Sequence, residues 1–473
     1  MLTLPHYDGK IAAVLGLSRT GLSACRALVA GGGRVWAWDD DYERRKAACG
    51  LGVSIVDLNL CNWDRVESLI LSPGIPLRHP KPHRLVKRAR AAGVRIIGDM
   101  ELLAENQLER RIVGITGTNG KSTTSALIAH VLDHAGIGTQ LGGNIGLPVL
   151  DLLPKPVKDI YVLELSSYQL DLTERLRCAV AVILNVSPDH LDRHGGMTGY
   201  LRAKKRILRN QEAGDWAVIG IDDDYGRKIV KDLRAVNDRK VVPISATQRA
   251  AGGIYVADGH LIDDIDSQAE DIGEVDGFPH LKGAHNGQNI AAAYAVARAI
   301  GAEPGSIIEG MASFPGLAHR LELVNVIDGI VFVNDSKATN PDAAARALAT
   351  FENIYWIAGG QPKQDDLDAV LPYLGHVKRA YLIGEAAERF QALLDKKVAT
   401  VMSGTLEQAF QAATDDARKE GAVGATVLLA PASASFDQFP NFEARGDAFR
   451  HLVDALGVAP DRVVAASGGG GSG

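Results

Sequence analysis

The chain shows one local pattern three times: a short apolar strand, a glycine-bounded turn and then a helix. The pattern starts near Lys10, restarts at Arg111 and restarts again near Leu321, with similar architecture but no copied sequence. Short buried strands that alternate with helices are typical of parallel, doubly wound sheets. We therefore predict an α/β protein of three domains, which agrees with a length of 473 residues. The predicted domains span residues 1–109, 110–316 and 317–466.

Composition and charge exclude several classes of protein. With 46% hydrophobic and 23% charged residues, the chain is neither disordered nor collagen-like nor a coiled coil. Its net charge of −6 argues against general binding of nucleic acid or anionic membranes. It has no apolar run long enough for a membrane span, no signal-peptide pattern and no CxxC pair among its four cysteines. We expect a cytoplasmic monomer, and we exclude residues 467–473 (SGGGGSG) as an artificial linker.

The strongest local motif is Gly114–Thr123 (GITGTNGKST), which follows a strand and precedes a helix. Glycines let backbone N–H groups approach phosphates, and a helix N-terminus adds favourable partial charge. Lys121 is expected to reach the β/γ-phosphates, and Ser122 or Thr123 to ligate Mg²⁺. Five residues, one more than the strict motif has, separate Gly114 from Gly120, so a purely structural glycine turn is the alternative. The predicted ATP-binding residues of this loop are Gly117, Thr118, Asn119, Gly120, Lys121, Ser122 and Thr123.

Polar residues also follow two later strands of the middle segment. A carboxylate at the end of a parallel strand beside a phosphate loop, here Glu164, is well placed to hold Mg²⁺. His190 and His194 have the spacing of a zinc pair on a helix, but HExxH is missing, and neighbouring proline and glycine residues predict a loop. Lys204 lies in RAKKR, a run that on its own is typical of a solvated helix face.

The pattern TGTNGKST resembles the ATP loop of the Mur ligases and folylpolyglutamate synthetases, a family that joins an amino acid to a carboxylate using ATP. The resemblance implies an N-terminal Rossmann-like UDP-binding domain, a central ATPase-like phosphate-loop domain and a C-terminal Rossmann-like domain. It also implies that CO₂ carbamylates Lys204, which then assists a second Mg²⁺. The implied catalytic residues are Lys121, Asn144, Glu164, His190 and Lys204. The implied metal ligands are Ser122, Glu164, His190 and carbamylated Lys204.

Further motifs fit the same family in the same order. The resemblance places His285 and Asn289, from an HNxxN pattern, near the nucleotide base, although helix capping by Asn286 is an alternative. It brings Arg320, Asp335 and Lys337 to ATP. The segments 334–341 (NDSKATNP) and 435–442 (SFDQFPNF) resemble the members that add D-glutamate. An acidic amino acid needs cations and N–H or O–H donors. The implied D-glutamate site comprises Thr339, Lys363, Ser435 and Phe442, although Gln361-Pro362 replaces the Asp-Gly more usual before the lysine.

The turn Gly16–Gly21 (GLSRTG) opens the first helix and resembles a dinucleotide fingerprint with Ser18 in place of its middle glycine. A nicotinamide site is therefore one interpretation, and the family resemblance implies a UDP site instead. The implied UDP-substrate residues are Ser18, Arg19, Thr20, Asp39, Asp40, Ser72 and Gly74, together with Asn144 and His190.

The activity that the resemblance implies is ATP-dependent addition of D-glutamate to UDP-N-acetylmuramoyl-L-alanine through an acyl phosphate. The expected partners are ATP with Mg²⁺, as two ions in the family pattern, the UDP-linked substrate and D-glutamate. Two alternatives stay open: a sister ligase that adds L-lysine, diaminopimelate or glutamyl units of folate, and a non-catalytic nucleotide-binding protein. A nicotinamide dehydrogenase is a more distant third.

Overall fold

The computed structural model describes residues 1–106, 111–153, 159–236, 238–278, 280–281, 283–362, 366–421 and 424–457, with the backbone alone at residues 284 and 285. The chain divides into two compact units, residues 1–314 and the residues from 315 onward. The first unit contains two sheets and the second contains one. Within the described ranges, no helix is both long enough and apolar enough to cross a membrane. The three sheets agree with the predicted three-module α/β fold.

The first sheet is fully parallel and has the order β3-β2-β1-β4-β5. Its strands are β1 (Ile11–Leu15), β2 (Arg34–Trp38), β3 (Ser54–Ile55), β4 (Val66–Leu71) and β5 (Arg95–Ile97). Its helices are α1 (Arg19–Ala30), α2 (Tyr42–Ala47), α3 (Arg84–Ala91) and α4 (Asp99–Asn106). Every residue of the central strand β1 is buried, as expected where helices cover both faces of a parallel sheet. This order is that of a Rossmann-like sheet.

The second sheet has nine strands in the order β14-β13-β12-β11-β10-β9-β6-β8-β7. Its strands are β6 (Ile112–Thr116), β7 (Thr139–Gly143), β8 (Ile160–Glu164), β9 (Val180–Ile183), β10 (Trp216–Gly220), β11 (Lys240–Ser245), β12 (Ile254–Ala257), β13 (His260–Asp263) and β14 (Glu270–Glu274). Its helices are α5 (Lys121–His134), α6 (Ser167–Leu170), α7 (Leu191–His194), α8 (Met197–Lys205), α9 (Asp224–Val236), α10 (Ala284–Ile300) and α11 (Pro304–Ala312). The pairs β12–β13 and β13–β14 are antiparallel, and all other neighbouring strands, including β11 and β12, pair in parallel.

Two local predictions are wrong in this unit. The many Gly and Asp residues of the segment Gly252–Gly277 predict a loop-rich stretch, yet the segment forms the strands β12–β14, which pair antiparallel with one another. The Asp258-Gly259 pair joins β12 to β13 with positive φ at both residues, the two-residue turn that favours a hairpin. The segment around His190 was expected to be a loop, yet it contains the one-turn helix α7.

The third sheet, in the second unit, has the order β15-β16-β20-β17-β18-β19. Its strands are β15 (Glu322–Ile327), β16 (Ile330–Asn334), β17 (Ile354–Gly359), β18 (Val377–Ile383), β19 (Thr400–Gly404) and β20 (Thr426–Leu429). Its helices are α12 (Pro341–Leu348), α13 (Ala387–Leu394), α14 (Leu406–Glu420) and α15 (Phe442–Gly457). Only the edge strand β15 pairs antiparallel. Neighbouring residues Tyr355 and Trp356 enter different apolar clusters, so both faces of this sheet are packed.

Candidate active site

The phosphate loop joins β6 to α5, and a backbone hydrogen bond fixes it to the segment that follows β9. Gly120 precedes α5 with a φ of +82°, a conformation that glycine adopts without strain. A Cβ at this position would lie 2.4 Å from Oδ1 of Asn289. The backbone N–H of Thr118 donates to the carbonyl of Asn185 at 2.9 Å. The loop therefore requires glycine at position 120 for both its conformation and its close contact with α10.

Two lysines converge on one carbonyl of this loop. Lys121 Nζ donates to the carbonyl oxygens of Gly117 and Thr118, both at 2.9 Å. Lys204 Nζ donates to the same Gly117 oxygen at 2.6 Å. Lys204 is 1% exposed because it shares the inward face of α8 with Tyr200, so the solvated face suggested by RAKKR alone is wrong for this residue. Burial, reinforced by the charge of Lys121, lowers the pKa of Lys204 to about 6.

Glu164 offers a free oxygen beside the loop. It ends β8 and is 1% exposed. Its Oε1 accepts a hydrogen bond from Asn144 Nδ2 at 2.7 Å, and the Asn144 N–H donates to the Glu164 carbonyl at 2.9 Å. Its Oε2 is buried, and no donor in the described part of the chain reaches it. A buried carboxylate oxygen without a donor fits a cation.

The described residues contain no group of three or more His, Cys, Asp and Glu side chains that could enclose a metal ion. This arrangement is compatible with Mg²⁺, which commonly takes one or two carboxylates and completes its coordination with water and substrate phosphates. Glu164, with its open Oε2, is one carboxylate of this kind.

His190 lies at the start of α7 with a φ of +51°. Its Nε2 is 3.5 Å from Asp189 Oδ2, and its ring centroid is 5.1 Å from that of Tyr168. His194, in contrast, is buried, stacks on Tyr168 at 5.4 Å and places Nε2 2.9 Å from Ser167 Oγ. Burial lowers the pKa of His194. His194 is thus a packed side chain.

Several polar residues around the loop were missed by sequence reasoning. The Asn185 amide accepts from the Asn119 N–H at 2.9 Å and donates to Gln288 Oε1 at 2.9 Å. Gln288 in turn donates to Asp222 Oδ2 at 2.9 Å. Tyr200 OH lies 3.1 Å from Thr118 Oγ1. Asn185 had a visible signal, since it follows β9, whereas the others depend on contacts between distant segments.

Of the two residues predicted near the base, only Asn289 has a described side chain. Its Oδ1 accepts from Thr124 Oγ1 at 2.9 Å, and its Nδ2 donates to Asn286 Oδ1 at 2.8 Å. Asn289 thus packs against the first turns of α5, beside the phosphate loop. The side chain of His285 lies outside the described part of the structure.

Apart from Asn144 and His190, the predicted UDP residues lie at the carboxyl ends of three adjacent strands, β2, β1 and β4. Ser18, Arg19 and Thr20 begin α1, and Arg19 donates to the Gly146 carbonyl at 2.5 Å. This contact brings the first turn beside the loop that carries Asn144.

The acids and the serine of this group have internal partners. The buried Asp39 carboxylate accepts from the N–H groups of Leu17 at 2.7 Å and Asp41 at 2.9 Å, so it braces the turn after β1. Asp40 pairs with Arg84 at 2.8 Å. Ser72 Oγ donates to the Gly16 carbonyl at 2.7 Å. Gly74 is exposed after β4.

In the second unit, burial raises the pKa of Asp335 to about 7, and its Oδ1 accepts from the Leu321 N–H at 3.2 Å. The neighbouring Arg320 N–H donates to the Leu317 carbonyl at 3.3 Å. Lys337 Nζ lies 3.8 Å from the centroid of the Phe442 ring. These predicted ATP contacts therefore lie at the end of β16 or in the turn before β15.

The predicted amino-acid site is described except for Lys363, which lies outside the described residues. Thr339 follows β16, and Ser435 is buried. The buried Arg445, which sequence reasoning missed, donates to Ser336 Oγ at 3.0 Å and to the Ser433 carbonyl at 3.2 Å. Arg445 thereby holds together the two loops that carry Thr339 and Ser435.

Comparison with known proteins identifies the family. Residues 115–297 match the Mur ligase middle domain, and residues 319–433 match the Mur ligase glutamate ligase domain. The chain is 50% identical to the UDP-N-acetylmuramoylalanine–D-glutamate ligase of Caulobacter vibrioides strain NA1000, covering 96% of this chain and 98% of that protein. It is 49% identical to the ligase of the same name from Phenylobacterium zucineum, with the same coverage of 96% and 98%.

Solved structures share the fold at lower sequence identity. The UDP-N-acetylmuramate-alanine ligase MurC of Thermotoga maritima aligns with a TM-score of 0.57 at 18% identity, over 94% of this chain and 99% of that one. MurF of Acinetobacter baumannii also aligns with a TM-score of 0.57 at 18% identity, over 96% of this chain and 92% of that one. The two domain matches and the near-full-length similarity lead to one conclusion: the chain belongs to the Mur ligase family.

Proposed function

We propose that this protein is the ATP-dependent ligase that joins D-glutamate to UDP-N-acetylmuramoyl-L-alanine in peptidoglycan precursor synthesis. The observation that carries the chemistry is the phosphate loop, where Lys121, Lys204 and the unpartnered oxygen of Glu164 gather around one turn. The identity of 50% over nearly the whole length of a D-glutamate ligase supports the choice of substrates.

The reaction proceeds in two steps. The carboxylate of UDP-N-acetylmuramoyl-L-alanine attacks the γ-phosphorus of ATP, forming an acyl phosphate and releasing ADP. The amine of D-glutamate then attacks the acyl carbon, loses a proton and displaces inorganic phosphate through a tetrahedral intermediate. Lys121 neutralises charge on the transferring phosphoryl group, and the loop holds the phosphates in line with the acceptor. Asn144 holds Glu164 in place through the 2.7 Å hydrogen bond.

The proposed ligands of two Mg²⁺ ions are Ser122, Glu164, His190 and a carbamylated Lys204. Bound Mg²⁺ supplies charge neutralisation at the phosphate oxygens. Carbamylation needs a neutral amine, and the buried Lys204 meets that condition near neutral pH. The lone pair of Nζ forms a bond to the carbon of CO₂, and one proton leaves. The product is a carbamate anion at a position where a protonated lysine would carry a positive charge.

We assign the three substrates to three domains. Residues 1–109 bind the UDP part at Ser18–Thr20, Asp39-Asp40 and Ser72–Gly74, and residues 110–316 bind ATP. Residues 317–466 bind D-glutamate through Thr339, Lys363, Ser435 and the backbone near Phe442. Arg320, Asp335 and Lys337 contribute to ATP binding from this last domain, and His285 and Asn289 contribute near the base.

Product formation, followed by mass spectrometry, tests the proposal. The protein is incubated with MgATP, UDP-N-acetylmuramoyl-L-alanine and, in separate tubes, D-glutamate, L-glutamate, L-lysine or diaminopimelate. We expect a product one glutamyl unit heavier only with D-glutamate, with equal release of phosphate. A product with another amino acid would overturn the D-glutamate assignment and keep the ligase chemistry. Folded protein that binds ATP but yields no product in any tube would refute the enzymatic function.

A further inference from the structure

Arg193 links two segments that the proposed mechanism uses separately. It lies on α7, three residues after His190, and its backbone N–H donates to the His190 carbonyl at 3.1 Å. Its guanidinium reaches the turn after β4, where NH1 donates to the Gly74 carbonyl at 2.9 Å and NH2 to the Pro73 carbonyl at 3.4 Å. Pro73 and Gly74 belong to the segment Ser72–Gly74, which is proposed to bind the UDP part of the substrate and which we call the UDP wall.

Packing alone does not explain this placement. The Nε of Arg193 is buried, and no acceptor in the described part of the chain reaches it. Among the described residues, no carboxylate lies within 4.0 Å of the guanidinium, which instead stands 4.6 Å from the centroid of the Tyr168 ring. A partly buried cation with an unused donor costs free energy, so an apolar side chain would serve stability at least as well. What the arginine specifically provides is the pair of hydrogen bonds to the wall.

A second contact joins the same two segments. Gly195 follows α7 with a φ of +69°, and a Cβ there would lie 2.7 Å from Nε2 of His79. His79 comes from the loop that follows Gly74. The wall is also fixed from its own sheet, since Ser72 Oγ donates to the Gly16 carbonyl at 2.7 Å. The UDP wall is therefore held to the turn after β1 on one side and to the His190 turn on the other.

We propose that Arg193 is a positioning residue for the UDP-linked substrate. It acts through the Pro73 and Gly74 carbonyls rather than on the substrate itself. It fixes the wall against the turn that carries His190, and so sets the distance from the UDP anchor to the reacting carboxylate. This inference rests on the proposed function only for the identity of the UDP ligand.

The test compares Arg193→Met, which keeps the length of the side chain and loses both donors, with Arg193→Lys. The exposed Arg209 in the same unit supplies the matched control Arg209→Met. Calorimetric titration measures Kd for UDP and for MgADP, and steady-state kinetics measures KM for the UDP-linked substrate. Thermal unfolding of each variant monitors the fold.

For Arg193→Met, Kd for UDP and KM for the UDP-linked substrate should rise together by about tenfold, the size expected for losing hydrogen bonds from a charged donor. Kd for MgADP should stay within about twofold, because the phosphate loop keeps its own contacts. Arg193→Lys should recover part of the UDP affinity, and Arg209→Met should match the wild type.

Unchanged UDP affinity in Arg193→Met would overturn the inference, and so would an equal loss of MgADP affinity, which would indicate a general structural role. If the wild type makes no product, but UDP binds more weakly to Arg193→Met than to the wild type, the proposed function fails and the inference stands. If the wild type forms product while Arg193→Met behaves as Arg209→Met does, the inference fails and the proposed function stands.

Discussion

Replacing Lys204 with methionine should make the protein more stable while abolishing its activity. Lys204 is 1% exposed, and burial lowers its pKa from 10.5 to about 6. Between these values the unfolded chain binds a proton that the folded chain does not, so wild-type stability rises with pH across this window. At pH 7, keeping the buried Lys204 amine neutral lowers the free energy of unfolding. The loss is about 1.4 kcal/mol for each pH unit between 7 and the ordinary pKa of 10.5, or about 5 kcal/mol in total.

Methionine removes this contribution at small cost. The variant loses the hydrogen bond from Nζ to the Gly117 carbonyl, which is worth about 1 kcal/mol. That carbonyl keeps a donor, because Lys121 Nζ also reaches it at 2.9 Å. Methionine has nearly the length of lysine and can pack against Tyr200, over whose ring Nζ now lies at 4.6 Å. The expected net gain is about 4 kcal/mol at pH 7, or about 6 °C in Tm for a cooperative unit the size of residues 1–314.

Calorimetric unfolding at several pH values, in buffer depleted of CO₂, measures the gain. The gain should shrink by about 1.4 kcal/mol for each pH unit between pH 7 and 9, while turnover falls at least 10²-fold at every pH. Lys205→Met is the matched control, because the Lys205 side chain is 40% exposed and pairs with Asp232 at 3.8 Å. Its stability should change by less than about 0.5 kcal/mol. A destabilised Lys204→Met, or a gain that is constant with pH, would refute the argument from burial.

Two further predictions concern the same loop. Lys204→Ala should lose turnover and regain part of it with added acetate, which supplies the missing carboxylate, whereas a near-normal rate without acetate would remove the carbamate from the mechanism. Gly120→Ala should raise KM for ATP at least tenfold and leave Kd for UDP unchanged, since the new Cβ would lie 2.4 Å from Asn289 Oδ1. Gly136→Ala is the matched control, because Gly136 has a similar φ of +75° but no atom would lie within 4 Å of its new Cβ. This control therefore measures the effect of the positive φ without a steric clash. Equal KM values for ATP in the two variants would refute the steric account.

Local sequence patterns predicted the parts of the site that depend on local physics. The run Ile112–Thr116 is entirely buried, as its apolar residues indicated, and the glycine-rich loop follows it directly. The order of the strands in the sheet could not be predicted from such local patterns. Glu164 lies beside the phosphate loop because β8 pairs with β6, and β9 pairs with the other side of β6. That arrangement depends on packing between segments some 50 residues apart, which no local pattern specifies.

The sequence does contain the signal that predicts the hairpin between β12 and β13. Asp258-Gly259 is a strong turn signal between alternating strands, yet the surrounding Gly and Asp residues suggested a loop. By contrast, Lys204 could not be distinguished within RAKKR from the sequence alone. The phase of α8 turns Tyr200, Ala203 and Lys204 inward, and only the packing of that helix against the rest of the unit fixes the phase.

Three groups of the first unit share one physical property, since each is desolvated without full compensation. Among the residues that the structure describes, no carboxylate lies at hydrogen-bond distance from the buried Lys204 Nζ, no donor reaches the buried Glu164 Oε2, and no acceptor reaches the buried Arg193 Nε. Stability alone would select against each of them. Near the phosphate loop the same desolvation lowers the pKa of Lys204 and leaves Glu164 Oε2 open, which are the properties that the proposed carbamate and the proposed Mg²⁺ site require. Lys204 and Glu164, which both cost stability beside the phosphate loop, are therefore evidence that this loop is selected for chemistry. Their removal should separate stability from activity, as Lys204→Met is expected to do.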